Sequence, residues 1–571
     1  MADPLDSQTF ADILDITARW SGDTLAFQSL PDIQANFSLP VTYRDFVFSV
    51  RQTANLIRNL GEHTNVALIV PNTVEGQTAL FASQIAGQAV PINGLLPDEQ
   101  TARLINAAGA NILIVDSDMD RAEKLRALSG GVEHIFTING DQQNIADCRK
   151  KFSGEAYDFD VPTQRDDPVV AAFHTGGTTG QPKLALHLAS NQLATARGVI
   201  GGADLKAEDV ILNPLPLFHV AGSICVAMSA LVCGACQLLP PPAGGRTPGF
   251  IDNFWILIEK YKVTVICGVP TIFGAAAARL PEKASTPSPK ILSGGASLAT
   301  TIESALLDFL GSEICLIYGM TETAGLICVR HHGETHLLGS VGRPADGVEI
   351  RIVIDPENAD AEVKSECSGH ILARGDTIGP GYLDETQRDA LFNNTGWLIT
   401  GDLGHIDRNG HLKITGRAKD VIIRSGHNID ASVIEEAALQ HPSIELAAAV
   451  SAPDSYAGEL PFLFVQLKPK CSVAPDEIFA HLLPILERPA LPKHVEILRE
   501  IPQTGAGKIY KPTLAARATE IVVERLFEDR SIKRTGWSII EDKGSHWIEV
   551  LDEQNRPAIQ EISKLLSLKF K

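Results

Sequence analysis

The chain has 571 residues, 44% hydrophobic and 21% charged, which is too long for one hydrophobic core and is the balance of ordinary globular domains. Its 49 Lys and Arg against 69 Asp and Glu give a formal net charge of −20. That excludes an extended nucleic-acid-binding surface, and a polyanionic ligand would need a locally positive site or a metal.

The N-terminal MADPLDSQTF lacks the basic and apolar regions of a signal peptide and the C-terminal KFK carries no recognised address, so a cytoplasmic location is expected. Apolar positions at helical spacing predict a helix over 42–60, and NVALIVPN at 65–72 reads as a buried strand ending in a turn. The alternation repeats with a helix near 75–87, a strand at 89–93, a helix near 98–109 and a strand at 111–116. Strand and helix taking turns predicts parallel sheet covered by helices.

HTGGTTGQPK at 174–183 interrupts that alternation. Glycines at 176, 177 and 180 allow backbone angles in which consecutive amides turn toward an anion, and Thr175, Thr178 and Thr179 add hydroxyls. The segment is neither the Gly-Lys-Ser/Thr loop of P-loop NTPases, since Lys183 follows Pro182 and precedes Leu184, nor a G-x-G-x-x-G fingerprint. Alone, such a stretch is as readily a flexible surface loop, and the rest of the chain has to decide.

From Val220 to Gly245 no residue is charged, which raises the question of a membrane span. The prolines at 240–242 and Gly234 favour a buried helix running into a core strand. Within this run Cys233-Gly-Ala-Cys236 has no second cysteine pair nearby, so the nine scattered cysteines read as structural thiols. Strands at 263–270, 290–296 and 313–320 resume the earlier pattern.

Over 340–415 short alternating runs separated by Gly, Asp and Asn predict a β-rich subdomain. A helix at 432–440, strands near 445–450 and 461–468 and a helix near 475–487 follow, then a charged helix from about 516 and a hairpin around WSIIEDKGSHWIEVL. The fold class is therefore α/β. Residues 1–416 form a large N-terminal domain of parallel-rich sheets flanked by helices with the small β-rich subdomain; 417–420 are a hinge, 421–515 a small α+β C-terminal domain, and 516–571 an extension of unassigned role.

After the glycine-rich loop, PLFHVAG at 216–222, SGGAS at 293–297, YGMTET at 318–323, TGDLG at 400–404, GRAKDVIIRSGHNID at 416–430 and PQTGAGKIYK at 502–511 follow in fixed order. Together with HTGGTTGQPK, this series resembles the adenylate-forming, AMP-binding superfamily of acyl-CoA synthetases, peptide-synthetase adenylation domains and luciferases, over about residues 40–515. One departure is that the family's Thr-Ser-Gly-Thr-Thr-Gly is here Thr175-Gly176-Gly177-Thr178-Thr179-Gly180, which removes a hydroxyl and keeps the amides.

The resemblance implies a reaction in which a carboxylate attacks the α-phosphate of ATP, pyrophosphate leaves, and a thiol then takes the acyl group from the adenylate. It assigns Thr175, Gly176, Gly177, Thr178, Thr179, Gly180 and Lys183 to the phosphates, and Gly295, Ala296, Tyr318 and Gly319 to the adenine wall. Glu322 is the implied Mg²⁺ ligand, Thr321 a donor to the α-phosphate, and Asp402 with Arg417 the ribose pair. His219 falls beside the acyl carboxylate, and Lys508, after the Gly505-Ala506-Gly507 segment, bridges carboxylate and α-phosphate. Lys419 is the implied pivot, and Ser425, Gly426 and His427 line the path of the CoA thiol arm. Taken singly, each has a plainer reading as a helix cap, turn residue, core aromatic or surface lysine; their order is what sets those aside.

The expectation is an AMP-forming acid:CoA ligase using ATP, Mg²⁺ and CoA, monomeric or homodimeric. Its acid pocket should lie around His219–Ser223, Gly268–Phe273, Ser293–Gly295 and Met320–Leu326, largely apolar and suited to an apolar acid. An enzyme loading a carrier protein is the rival, because Gly294-Gly295-Ala296-Ser297 mimics a carrier attachment site, although its mid-chain position after a strand argues against it. Joint retention of Glu322, Asp402, Arg417 and Lys508 argues against a non-catalytic nucleotide-binding protein, and nothing points to luciferase-type oxygenation.

Overall fold

The computed structural model describes residues 9–161, 167–175, 183–283, 288–334, 338–364, 366–528, 537–542, 545–551, 556–566 and 568–570. Two large sheets organise the first part of the chain, one of seven strands and one of nine. In the seven-stranded sheet Asn65–Ile69 lies between Gln88–Pro91 and Ile112–Val115 in parallel register, and His134–Thr137 continues it. The nine-stranded sheet sets Val265–Gly268, Lys290–Gly294 and Ile314–Tyr318 side by side, again parallel.

Period-two burial explains why these strands read as continuous apolar runs. Val66 and Leu68 face one core and Ala67 and Ile69 another, while Val265 and Cys267 face the first core and Ile266 a third. Both faces are thus covered, as parallel sheets require. The shared core holds the helices Tyr43–Asn59, Val74–Ala86 and Ala189–Ala203, which lie between the sheets. Thr42 and Thr73 start the first two by accepting from the amides of Asp45 and Gly76, at 3.2 and 3.1 Å.

The uncharged run after Val220 is buried in this core as a π-helix, Ala221–Met228, a short α-helix, Ser229–Cys233, and the strand Cys236–Leu239. No helix among the described residues is long and apolar enough to cross a membrane. Burial pushes the thiols of Cys233 and Cys236 up to about 12 and about 11, which makes them poor nucleophiles. The β-rich subdomain is a four-stranded antiparallel sheet of Val348–Val353, Gly369–Gly375, Leu398–Ile406 and Leu412–Arg417.

Beyond the turn Ala418–Asp420, a five-stranded sheet built on the pair Ile444–Asp454 and Gly458–Leu467 carries the helices Ala431–Leu439 and Pro475–Leu482. The second helix is shorter than its pattern suggested, because Pro484 has no amide hydrogen to continue the ladder beyond Leu483. The boundary expected at 515/516 needs correcting: it falls inside one helix, Lys511–Glu528. Leu514, Ala518 and Ile521 pack on Phe462 and Phe464 of the C-terminal sheet, whereas Val523 and Phe527 pack on Trp537, Ile548, Ile559 and Ile562. One apolar face thus serves two cores, which charge pattern alone did not reveal. The hairpin Trp537–Asp542 and Ser545–Val550 forms as expected, and the helix Arg556–Leu565 and strand Lys569–Phe570 complete its sheet.

A buried ion pair joins the helix Thr300–Leu310 to the segment that follows the strand Cys328–Val329. Arg330, 3% exposed, bonds Oε1 of Glu303, 0% exposed, and its Nε donates to the Ser340 carbonyl at 3.1 Å. Arg330→Met should strand that carboxylate and lower stability by about 3–5 kcal/mol, the usual cost of breaking a buried pair on one side. Urea unfolding would measure this, and a loss below about 1 kcal/mol would mean that Glu303 finds another partner.

Candidate active site

The C-terminal ends of the parallel strands Val265–Gly268, Lys290–Gly294 and Ile314–Tyr318 open onto a cavity of about 530 Å³, counting its open mouth. Ligand crevices in open α/β sheets form at such strand ends. Leu215, Val220, Cys225, Val226, Val269 and Ile317 are among its apolar lining residues, and His219, Ser293 and Lys508 supply polar atoms. Of the lining residues, His219–Ala221, Gly268, Val269, Ser293–Gly295, Met320, Thr321 and Gly325 fall in the segments expected from sequence, and Leu215, Cys225, Val226, Cys267, Leu292 and Ile317 are additions. One wall is the π-helix Ala221–Met228, whose wide turn is common at functional sites.

Lys508 reaches this cavity from the C-terminal domain. The segment 503–509 is docked on the large domain: Thr271 donates to the Gly507 carbonyl and Arg246 to the Thr504 carbonyl, each at 2.8 Å. Gly295, at φ +83, accommodates the lysine, since a Cβ there would lie 2.8 Å from Lys508 Cε. A side chain at 295 would therefore be strained by its backbone and would displace the end of Lys508. Burial, with Arg417 nearby, pulls the ammonium down to about 8, while the charges of Asp402 and Glu322 oppose that shift.

His219 is a neutral donor. Burial, then the charges of Lys508 and His174, hold its pKa well below the ordinary value. Its Nδ1 accepts from the Ala221 amide at 3.2 Å, so the proton sits on Nε2. Ser293 Oγ is buried and has no hydrogen-bond partner among the described residues, leaving a polar atom for a ligand to satisfy.

Asp402 and Arg417 are opposite each other across the strand pair, with Arg417 Nε 3.0 Å from Asp402 Oδ1. Tyr318 donates to the other oxygen at 2.8 Å, so the hydroxyl of this residue is committed to Asp402 at the strand end. Burial raises the Asp402 carboxyl, and Arg417 and Tyr318 counter that rise. Gly295 and Ala296 are exposed, as backbone open to a flat ring would be.

In the turn Thr321–Thr323, Glu322 is buried and its Oε1 accepts from the Tyr382 hydroxyl. Gly319 precedes this turn so tightly that a Cβ would lie 2.3 Å from the Gly325 carbonyl. Among the described residues no group of three or more His, Cys, Asp or Glu could hold a metal ion. Glu322 alone fits magnesium only as one oxygen ligand beside nucleotide phosphates, which is how this ion is often held.

Thr175 and Lys183 face each other as register partners at the ends of Val169–Thr175 and Lys183–Leu188. Gly176, Gly177, Thr178, Thr179 and Gly180 lie outside the described residues. Lys419 is exposed in the turn Ala418–Asp420. Ser425, Gly426 and His427 are not at the pocket in this arrangement: they form the exposed tip of a two-residue hairpin turn, with φ +51 at Ser425 and +84 at Gly426.

Motif reading missed Tyr382, His187 and His174. His187 Nε2 donates to the Thr321 carbonyl at 2.6 Å, and burial takes its pKa down to about 4. His174 Nε2 accepts from the Asn93 amide at 3.0 Å and its ring stacks on Phe218. Only His174 gave a signal, as the residue opening the glycine-rich stretch.

The AMP-binding enzyme family model matches residues 20–383, and the AMP-binding enzyme C-terminal domain model matches residues 433–508. The chain is similar to the marinolic acid–CoA ligase of Pseudoalteromonas sp., with 30% identity over 524 residues, 88% of this chain and 80% of that protein. It is 28% identical over 483 residues to the feruloyl-CoA synthase of Amycolatopsis sp., covering 84% of this chain and 94% of that one. Its fold is similar to ATP-bound MatB from Rhodopseudomonas palustris, at TM-score 0.79 and 23% identity over 90% of this chain and 99% of that one. It is likewise similar to the anthranilate CoA ligase AuaEII in complex with anthranoyl-AMP, at TM-score 0.81 and 22% identity over 90% and 98% of the two chains. The gathered site, the two family matches and these relatives lead to one statement: the chain belongs to the AMP-binding enzyme family, the adenylate-forming superfamily, and is an enzyme of the acid–CoA ligase kind.

Proposed function

We propose that this ligase activates an apolar monocarboxylic acid in the pocket beneath Lys508. The observation that carries the reading is the composition of the pocket wall: among the described residues that line it Lys508 is the one cation, there is no carboxylate, and the remainder is mostly apolar. A carboxylate entering there meets the ammonium and the neutral His219 Nε2–H, and its tail displaces water from Val220, Cys225, Val226 and Ile317. A second carboxylate would be buried with no counter-charge. The names of the relatives do not choose the acid, since they range from feruloyl to oxalate and long-chain fatty acid.

In the first step Lys508 lies between the incoming carboxylate and the α-phosphate and offsets the charge that develops as the new P–O bond forms and pyrophosphate leaves. Asp402 accepts from the ribose hydroxyls with Arg417 and Tyr318 holding it in place, and the Gly295–Ala296 backbone flanks the adenine. Thr175 and Lys183 end the strands that flank the phosphate-binding segment, and Thr321 donates to the α-phosphate. Magnesium, held by Glu322, would neutralise phosphate charge when bound.

For the second step the C-terminal domain turns about Lys419 and withdraws Lys508. The contacts it would break include Arg279 3.6 Å from Glu445 and the two hydrogen bonds to the Thr504 and Gly507 carbonyls. The Ser425–His427 turn then comes to the pocket, and the CoA thiol attacks the acyl carbon with loss of AMP.

A panel of acids differing in length and ring type, assayed with ATP, Mg²⁺ and CoA, should release pyrophosphate and AMP with apolar monocarboxylates preferred. Release of ADP and orthophosphate, or a preference for dicarboxylates, would overturn the reading.

Lys508→Ala should lower adenylation by about two to three orders of magnitude, the cost of removing one donor aimed at developing charge. The same variant should convert synthetic acyl-adenylate and CoA to product at near the parent rate. Since the free-enzyme ammonium titrates at about 8, kcat/KM for adenylation should fall as pH rises through that value. Lys508→Arg, permanently charged, should lack that descending limb even if slower.

Gly426→Trp should spare pyrophosphate exchange and block thioester formation. In the arrangement described no atom lies within 4 Å of a Cβ at 426, so beyond the local backbone strain at φ +84 the new bulk has room until the turn approaches the pocket. Equal loss of both half-reactions would place the turn's role in folding instead.

A further inference from the structure

Tyr382 links the strand that follows the glycine-rich segment to the carboxylate of Glu322. Gly381–Tyr382 pairs antiparallel with Lys183–Leu188, setting Tyr382 opposite Ala185 and Gly381 opposite Leu186. Tyr382 is 6% exposed, and its hydroxyl donates to Glu322 Oε1. Over its ring, 4.8 Å from the centroid, sits the Nζ of Lys183.

The backbone of the same segment grips Glu322 as well. The Gly379 amide donates to the Glu322 carbonyl at 2.9 Å. A Cβ on Gly379 would lie 2.4 Å from the Leu186 carbonyl, so glycine is what permits this approach. From the other side His187, on the strand that begins with Lys183, holds the Thr321 carbonyl. The Thr321–Thr323 turn is therefore fixed at three points to one strand and its edge partner, and only one of the three touches a side chain of the turn.

We propose that Tyr382 is a positioning residue for the metal-bound nucleotide: by fixing one carboxylate oxygen of Glu322 it sets the direction in which the other is presented to the ion, while its ring orients Lys183 toward the same phosphates. The proposal rests on the reading of Glu322 as the magnesium ligand. A glutamate at the end of a rotatable side chain and left without such a partner would sample several orientations, and the one that meets the ion would be a fraction of them. Partners of metal ligands commonly set affinity in this way.

The test uses the full-length protein and four forms: parent, Tyr382→Phe, Glu322→Gln and the double variant. Phenylalanine keeps the ring beneath Lys183 and removes only the hydroxyl, and thermal midpoints check that each form is folded. Manganese binding in the presence of ATP is measured by electron paramagnetic resonance, alongside the magnesium concentration that half-saturates pyrophosphate release. Tyr382→Phe should weaken metal binding about tenfold, with excess magnesium restoring most of kcat and little change in KM for the acid. Glu322→Gln should weaken it at least as much, and the double variant should be no worse than Glu322→Gln, because Tyr382 acts through that carboxylate. Parent-like metal affinity in Tyr382→Phe, beside a weakened Glu322→Gln, would overturn the positioning role and leave the ligand reading intact. Parent-like affinity in Glu322→Gln would overturn the ligand reading and the proposal with it. Additive losses in the double variant would show that Tyr382 works by a route other than Glu322 and would also overturn it.

Discussion

An ammonium buried at the mouth of an apolar cavity is the constraint on which the rest of this molecule turns. Desolvation alone would drive Lys508 toward neutrality, and Arg417 adds to that pressure, while Asp402 and Glu322 supply the counter-charge that keeps its pKa at about 8. The lysine is held there by a segment whose conformation depends on glycine. Gly507 has φ +81, and Gly505 comes so close to Asn93 and Phe218 that a Cβ would meet them at 2.4 and 3.0 Å. Gly295 clears the space on the opposite side. The cost of burying the charge is thus met by geometry contributed from both domains, and it lasts only while they are docked.

The two sheets serve this arrangement in different ways. Parallel strands of the nine-stranded sheet end together, so the residues after Gly268, Gly294 and Tyr318 converge on one cavity although they are far apart in the chain. The seven-stranded sheet contributes the strand pair Val169–Thr175 and Lys183–Leu188, whose partner residues His187 and Tyr382 reach across to the turn at Thr321–Thr323. The two sheets are therefore joined at that turn. The β-rich subdomain adds Asp402 and Arg417 directly opposite each other in an antiparallel pair, which is the closest approach two strand residues can have.

Much of the site was legible because its chemistry is written in short, local signatures. Thr321 and Glu322 follow a strand and a glycine turn; Asp402 and Arg417 sit in TGDLG and GRAKD; Lys508 follows Gly-Ala-Gly. The fold class was legible for the same kind of reason, since buried parallel strands leave apolar runs such as NILIVD and VTVICGVP that alternate with helical periodicity. The helix from 511 to 528 was read only in part, because its charged face gives no hint that its apolar face is divided between the C-terminal sheet and the terminal hairpin.

By itself, then, the amino-acid sequence determined the order of the elements, the apolar character of the cavity and the identity of the charged groups, because each depends on residue type and on neighbours a few positions away. Tertiary structure alone decided that Tyr382 touches Glu322, 60 positions earlier in the chain, that His187 holds the Thr321 carbonyl, and that Lys508 rather than the Ser425–His427 turn occupies the pocket. Tyr382 has no motif of its own, since a tyrosine in a two-residue edge strand looks like any core aromatic. Its partner is chosen by the register of that strand against Lys183–Leu188, and the occupant of the pocket by how the C-terminal domain packs on the large one. Both are long-range geometric choices that local composition does not encode.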